Sequence, residues 1–185
     1  MVERFLPISK KYFGEGLARV NNQLIQLTWQ KGIAFVYDLE TFEALKPFRY
    51  EGEGWGLCHD GKHLYMSNGT STLFRRNAYT FEKERTLTIT LHGKPIHQLN
   101  ELECVGEHVY ANIWQTDTII RINKHSGKVT AKIDASNLLT DNQRSKLLPG
   151  EVLNGIAYDQ EAESFYVTGK NWPALLEVRW VVGSP

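Results

Sequence analysis

Val167-Thr-Gly-Lys-Asn-Trp-Pro173 is the stretch that decides how this chain is read. It closes the last of four similar units, and Lys170 stands at its tip. Aligned on their strand patterns, the units put Trp29, Gly69, Trp114 and Lys170 at one shared place. Each lies five residues after an apolar residue that opens a strand: Leu24, Leu64, Val109 and Phe165. Corresponding positions at Gly16, Gly56, Leu102 and Gly155 are separated by 40, 46 and 53 residues. A repeat of about 40 residues with four strands per unit is the signature of a β-propeller, whose blades surround an axis. The shared place then becomes a ring of side chains, with Glu15 beside it, and that ring is the candidate site.

Working outward, short β-rich runs alternate with Gly, Asn and Asp turns, and helix-period patterns are almost absent. The first unit predicts strands over 14–20, 23–29, 33–37 and 43–50. The second uses the Asp60-Gly61 hairpin signal and predicts strands at 55–59, 63–68, 72–76 and 83–90. The third runs from Leu99 through 109–114 and 118–122 to 128–133. Three bridges look alike: Asp38-Leu-Glu-Thr-Phe42, Asn77-Ala-Tyr-Thr-Phe81 and Asn123-Lys-His-Ser-Gly127. An interruption at 134–151 predicts one short helix near 136–148, capped by Ser136. The fourth unit has strands near 155–158, 164–168 and 174–179 but no clear fourth strand, only Val181-Val-Gly-Ser-Pro185. Residues 4–9 form an orphan strand before the first unit. It is either the outer strand that the last unit lacks or the last strand of an earlier unit.

Composition narrows the classes. The 185 residues suffice for one domain or a compact repeat array, read here as one propeller domain over 1–185. The 21 basic and 21 acidic residues cancel, so no bulk charge points to nucleic acid or an anionic membrane. No apolar run approaches the roughly 20 residues of a membrane span. Nothing at Met1–Pro7 reads as a signal peptide. Cys58 and Cys104 can form one disulfide or none, and two buried free thiols are the favoured expectation. Neither cysteine has a partner at zinc-finger spacing, and His59 and His63 straddle a turn without a third ligand, so no metal and no cofactor are expected.

Seven segments, in order, carry a resemblance. They are Tyr12-Phe-Gly-Glu-Gly-Leu17, Leu27-Thr-Trp29, Glu53-Gly-Trp-Gly-Leu57, Leu99-Asn-Glu-Leu-Glu103, Asn112-Ile-Trp114, Val152-Leu-Asn-Gly-Ile-Ala-Tyr-Asp159 and the opening stretch. Together they resemble the plant-type and bacterial glutaminyl cyclases, or glutamine cyclotransferases. The resemblance implies an all-β propeller of the five-bladed type, here about four blades. It implies a blade ahead of Glu15 that this chain lacks, and an exported or periplasmic enzyme. It also implies cyclisation of an N-terminal glutamine of a peptide to pyroglutamate with release of ammonia. The family's pocket residues fall on Glu15, Phe13, Trp29, Trp55, Asn100, Trp114 and Lys170.

Glu15 is the expected proton shuttle, because a carboxyl walled by aromatics has its pKa raised by desolvation. Lys170 is expected to stabilise the oxyanion, and Asn100 to hydrogen-bond a substrate amide. The indoles would exclude water, although Trp29, Trp55 and Trp114 also suit packing between blades. Trp172 and Trp180 read as core. Asn154 joins the candidate binding set, with a turn role as its ordinary alternative. Alternation sends Glu101 and Glu103 to the face opposite Asn100, as a blade-packing pair or a second polar site. Two other functions compete. One is a propeller that only binds peptides, or a degenerate one; separately, an open propeller edge would allow self-association. The other is a lactonase-like propeller with Glu15, Asn100 and Asn154 as ligands to a hard cation.

Overall fold

The computed structural model describes residues 4–181. Its chain folds into four consecutive antiparallel sheets, each a meander in sequence order. Blade one holds β1 (Gly14–Val20), β2 (Gln23–Thr28), β3 (Ile33–Asp38) and β4 (Phe48–Arg49). Blade two holds β5 (Leu57–His59), β6 (His63–Met66), β7 (Thr72–Asn77) and β8 (Lys83–Thr88). A two-stranded ribbon follows, β9 (Thr90–Leu91) with β10 (Lys94–Pro95), which the sequence did not signal. Blade three holds β11 (Leu99–Val105), β12 (His108–Ile113), β13 (Thr118–Asn123) and β14 (Val129–Asp134). After α1 (Asp141–Arg144), blade four holds β15 (Leu153–Asp159), β16 (Ser164–Gly169) and β17 (Leu176–Val178).

The innermost strands meet in order: β1 packs on β5, β5 on β11, and β11 on β15. Glycine makes these approaches possible. A Cβ on Gly16 would lie 2.5 Å from the Leu57 amide nitrogen, and one on Gly56 would lie 2.1 Å from the Asn100 carbonyl oxygen. Between successive sheets lie three apolar cores. Ile25, Leu27, Leu64 and Phe81 fill the first. Leu73, Ile89, Leu102 and Val109 fill the second, and Ile119, Leu153, Phe165 and Val167 the third. Each buried branched side chain is worth roughly 1.5–3 kcal/mol against exposure, so interblade packing dominates the stability.

The three look-alike bridges share one hydrogen-bond scheme. In each, the leading Asp or Asn side chain accepts from the backbone two and three residues on, at Asp38, Asn77 and Asn123. The fifth residue, Phe42, Phe81 or Gly127, takes φ near +60 to +70° and donates its amide back to the first carbonyl. This Asx-turn chemistry explains why those residue types recur at the outer end of three blades.

Several expectations need correction. Among residues 4–9 there is no strand, so the orphan supplies no outer strand; Pro7 lacks the amide that a ladder requires. Residues 182–185 of the expected unpaired tail lie outside the described residues. The strand expected at 43–50 shrinks to Phe48–Arg49, plus one bridge between Tyr37 and Ala44, again with a proline, Pro47, between them. The helix is capped by Thr140, not Ser136: Thr140 and Gln143 form a reciprocal capping box. Ser136 instead donates its amide to Asp134. Finally, Cys58 and Cys104 are joined in a disulfide, with Cα atoms 5.5 Å apart. They stand on neighbouring inner strands, β5 and β11, an adjacency that no spacing in the sequence reveals.

Candidate active site

Strand register shows how the site is built. One extra residue bulges β1 between Gly14 and Leu17, β11 between Leu99 and Leu102, and β15 between Leu153 and Ile156. The bulged pairs are Glu15-Gly16, Asn100-Glu101 and Asn154-Gly155. In blade two, Trp55-Gly56 holds the same place just before β5. Bulges re-aim side chains, and those of β1 and β11 bring Glu15 and Asn100 to one cavity. The register also corrects the alignment made from sequence: the partner of Gly16, Gly56 and Gly155 is Glu101, not Leu102.

The second tier sits at the end of the second strand of each blade. The amides of Trp29, Trp114 and Lys170 donate to the carbonyls of Phe13, Gln98 and Val152, each two residues before a bulge pair. Gly69 departs from this scheme and donates to Leu99 of the next blade at 3.2 Å. It has φ +78°, and a Cβ there would lie 2.6 Å from the Trp55 ring. Gly69 therefore backs an indole and contributes no side chain.

Phe13, Glu15, Trp29, Trp55, Asn100, Trp114 and Lys170 line one cavity of about 170 Å³. Trp55 and Trp114 meet edge to face at 5.4 Å, and Phe13 meets Trp29 at 6.3 Å. Lys170 lies in the turn after β16, with its Nζ 5.8 Å from the Phe13 ring centre. Trp172 anchors that turn: its indole donates to the Glu151 carbonyl, and Gly169 lies flat against its ring. Trp172 and Trp180 pack on the third core, as expected.

Burial pushes the Glu15 carboxyl up to about 7, with Lys170 opposing the shift and Glu53 adding to it. Near neutrality such a group exists in both protonation states, which suits a proton shuttle. The Asn100 residue is 4% exposed, and its Oδ1 has no partner among the described residues. A buried acceptor without a partner costs about 1–3 kcal/mol, a cost recovered when a donor enters the cavity.

Asn154 is not among the lining residues. Its Oδ1 accepts from the Glu101 amide at 3.4 Å, so it ties blade four to blade three. The three-oxygen set of Glu15, Asn100 and Asn154 is therefore not assembled in this cavity. Glu101 and Glu103 are half-buried. Glu103 accepts from the Tyr158 amide across the blade junction. Burial first, then the charges of Glu103 and Glu15, push Glu101 up to about 8. Burial also raises Glu103 to about 7.

Sequence reasoning missed Glu53 and the place of Glu101. Glu53 accepts hydrogen bonds from two of the cavity's indoles. Its signal was only that an acidic residue precedes Trp55 by two. Glu101 could have been found by aligning on the bulges, where it alone replaces a glycine.

On this propeller an acid, an amine and an amide, Glu15, Lys170 and Asn100, share one indole-walled cup. Residues 1–180 match the family model described as glutamine cyclotransferase, and the chain belongs to that family. It is 38% identical over 179 residues to a glutaminyl-peptide cyclotransferase of Arabidopsis thaliana. That match covers 96% of this chain, which spans 56% of the relative's length. The crystal structure of Myxococcus xanthus glutaminyl cyclase is also similar, at 38% identity and a TM-score of 0.86. That match covers 91% of this chain and 72% of the other. Kuenenia stuttgartiensis hydrazine synthase shares the fold alone, with 16% identity, a TM-score of 0.53, and 87% of this chain and 46% of that one covered.

Proposed function

We propose that the cavity cyclises an N-terminal glutamine of a peptide to pyroglutamate and releases ammonia. The observation that carries this reading is the meeting of Glu15, Lys170 and the unpartnered Asn100 oxygen in one small, indole-walled cup. Drug-sized ligands occupy pockets of roughly 300–1,000 Å³. A cavity of about 170 Å³ suits one folded side chain instead.

The chemistry is an intramolecular acyl transfer. The α-amine attacks its own γ-carboxamide carbon, a C–N bond forms, and the five-membered ring closes. Ionised Glu15 takes the proton from the attacking nitrogen and returns it to the departing amide nitrogen, so the C–NH₂ bond breaks to give ammonia. The proton count balances without a co-reactant. The Lys170 ammonium stabilises the oxyanion of the tetrahedral intermediate. Asn100 holds a substrate N–H through Oδ1. The indoles keep the chain folded in near-attack geometry and exclude water. Phe13 and Trp29 are 58% and 40% exposed, so they stand at the mouth where the rest of the peptide leaves.

The test is mass spectrometry of a Gln-initiated peptide incubated with the protein, reading the loss of one ammonia. Glu15→Gln is expected to lower kcat by about 10²–10⁴-fold, and Lys170→Ala by about 10²–10³-fold. Full activity in either variant refutes the role assigned to that residue. Tight binding of the peptide without conversion by the parent protein would instead favour a non-catalytic peptide-binding propeller.

A further inference from the structure

We propose that Glu53 is a positioning residue of this site, one carboxylate that clamps two walls of the cavity. The proposal rests on the cyclase reading for its kinetic part and on geometry alone for the rest. Glu53 Oε2 accepts from Trp29 Nε1 at 2.8 Å and from Trp55 Nε1 at 2.9 Å. Its other oxygen accepts from Gln30 Nε2 at 3.1 Å. Trp29 comes from blade one and Trp55 opens blade two, so the carboxylate ties the two blades together at the cavity rim.

The clamp makes the wall continuous. Phe13 abuts Trp29, Glu53 joins Trp29 to Trp55, and Trp55 abuts Trp114. An indole N–H can only donate, and an ionised carboxylate can only accept at two oxygens. One carboxylate therefore satisfies both rings in a single orientation, with charge-assisted bonds roughly twice as strong as neutral ones. Backbone contacts hold the clamp in place: the Gly54 amide donates to the Trp29 carbonyl at 2.9 Å. A Cβ on Gly54 would lie 2.4 Å from the Tyr50 hydroxyl oxygen, so only glycine lets the loop sit this close. The same hydrogen bonds, that from Trp55 foremost, keep Glu53 below the usual carboxylate range, and it stays ionised.

Glu15 thus works among four ionisable neighbours: Lys170, Glu53, Glu101 and Tyr50. Lys170 favours its ionised form, whereas Glu53 favours its protonated form. Removing the Glu53 charge alone should shift the acidic limb of activity to lower pH. Removing the clamp should loosen the indoles as well.

Two variants separate these effects, read by kinetics over pH and by the indole N–H resonances of the five tryptophans. Glu53→Gln keeps one acceptor oxygen and loses the charge. It is expected to move the acidic limb of kcat/KM down by about half a pH unit with little change in KM. Glu53→Ala loses both, so KM is expected to rise about tenfold, and two of the five resonances should shift and exchange faster. A Glu53→Ala protein with all five resonances and KM unchanged overturns the proposal, as does an unmoved pH limb in Glu53→Gln. If the parent protein converts no Gln-peptide, the cyclase reading falls. The resonances of Glu53→Gln and Glu53→Ala still decide the clamp.

Discussion

Gly69 shows how much of the site rests on a missing side chain. Its φ of +78° is open to glycine, and Trp55 lies where a Cβ would stand. Gly69→Ala must therefore pay for both a left-handed backbone and a displaced indole. Strain of this kind costs roughly 1–2 kcal/mol for the backbone and about 1–3 kcal/mol for the overpacking. The expected outcome is a lower midpoint in a urea titration together with a KM raised by about tenfold or more, since Trp55 is a wall of the cavity. Glu15 carries a second prediction at this scale. Its raised pKa means that folding favours the protonated form. Its stabilising contribution is present below about pH 4.5 and is lost as pH rises through about 7. Glu15→Gln should therefore raise Tm at pH 8 relative to the parent protein, and leave it nearly unchanged at pH 4. Loss of turnover with retained or increased stability is the signature of a functional residue held at a structural cost.

Among the elements, the bulged inner strands matter most. Strict alternation along β11 would send Asn100 and Glu101 to opposite faces, and the bulge between Leu99 and Leu102 breaks it. Asn100 reaches the cavity, while Glu101 stands where the neighbouring strands have glycine and feels both Glu103 and Glu15. Glu101 and Glu103 titrate at about 8 and about 7, above the ordinary 4.5. Their contribution to stability is full below about pH 4.5 and falls away as pH rises to about 8. A Tm series from pH 5 to 8.5 should slope downward, and Glu101→Gln should flatten that slope. An unchanged slope would show that Glu101 is solvated. The β5–β11 pair offers another test. The Cys58–Cys104 bridge links blades two and three across a separation of 46 residues. Replacing both cysteines by serine should cost about 2–4 kcal/mol in chemical denaturation, and a reductant should then have no further effect.

At the scale of the whole molecule, the division between what was readable and what was not follows from the range of the interactions. Strand-length runs, the Asp60-Gly61 turn and the three Asx bridges are local chemistry, so four repeated sheets were legible in the residues themselves. The same local repetition located Trp29, Trp114 and Lys170 at equivalent strand ends, because five residues along a strand is a fixed distance. Trp55 and Asn100 were legible only through the resemblance, since nothing local shows that they reach the same cavity as Glu15. The prolines at 7 and 47 cut short two strands that apolar content alone had suggested. The sequence by itself thus determined the repeat, the turns and the identity of the chemical groups. The tertiary structure decided the disulfide, the exchange of Leu102 for Glu101 in the inner ring, the withdrawal of Asn154 into a blade junction and the Glu53 clamp. Each of these depends on how one sheet lies against the next, and such contacts join residues tens of positions apart whose pairing no local pattern encodes.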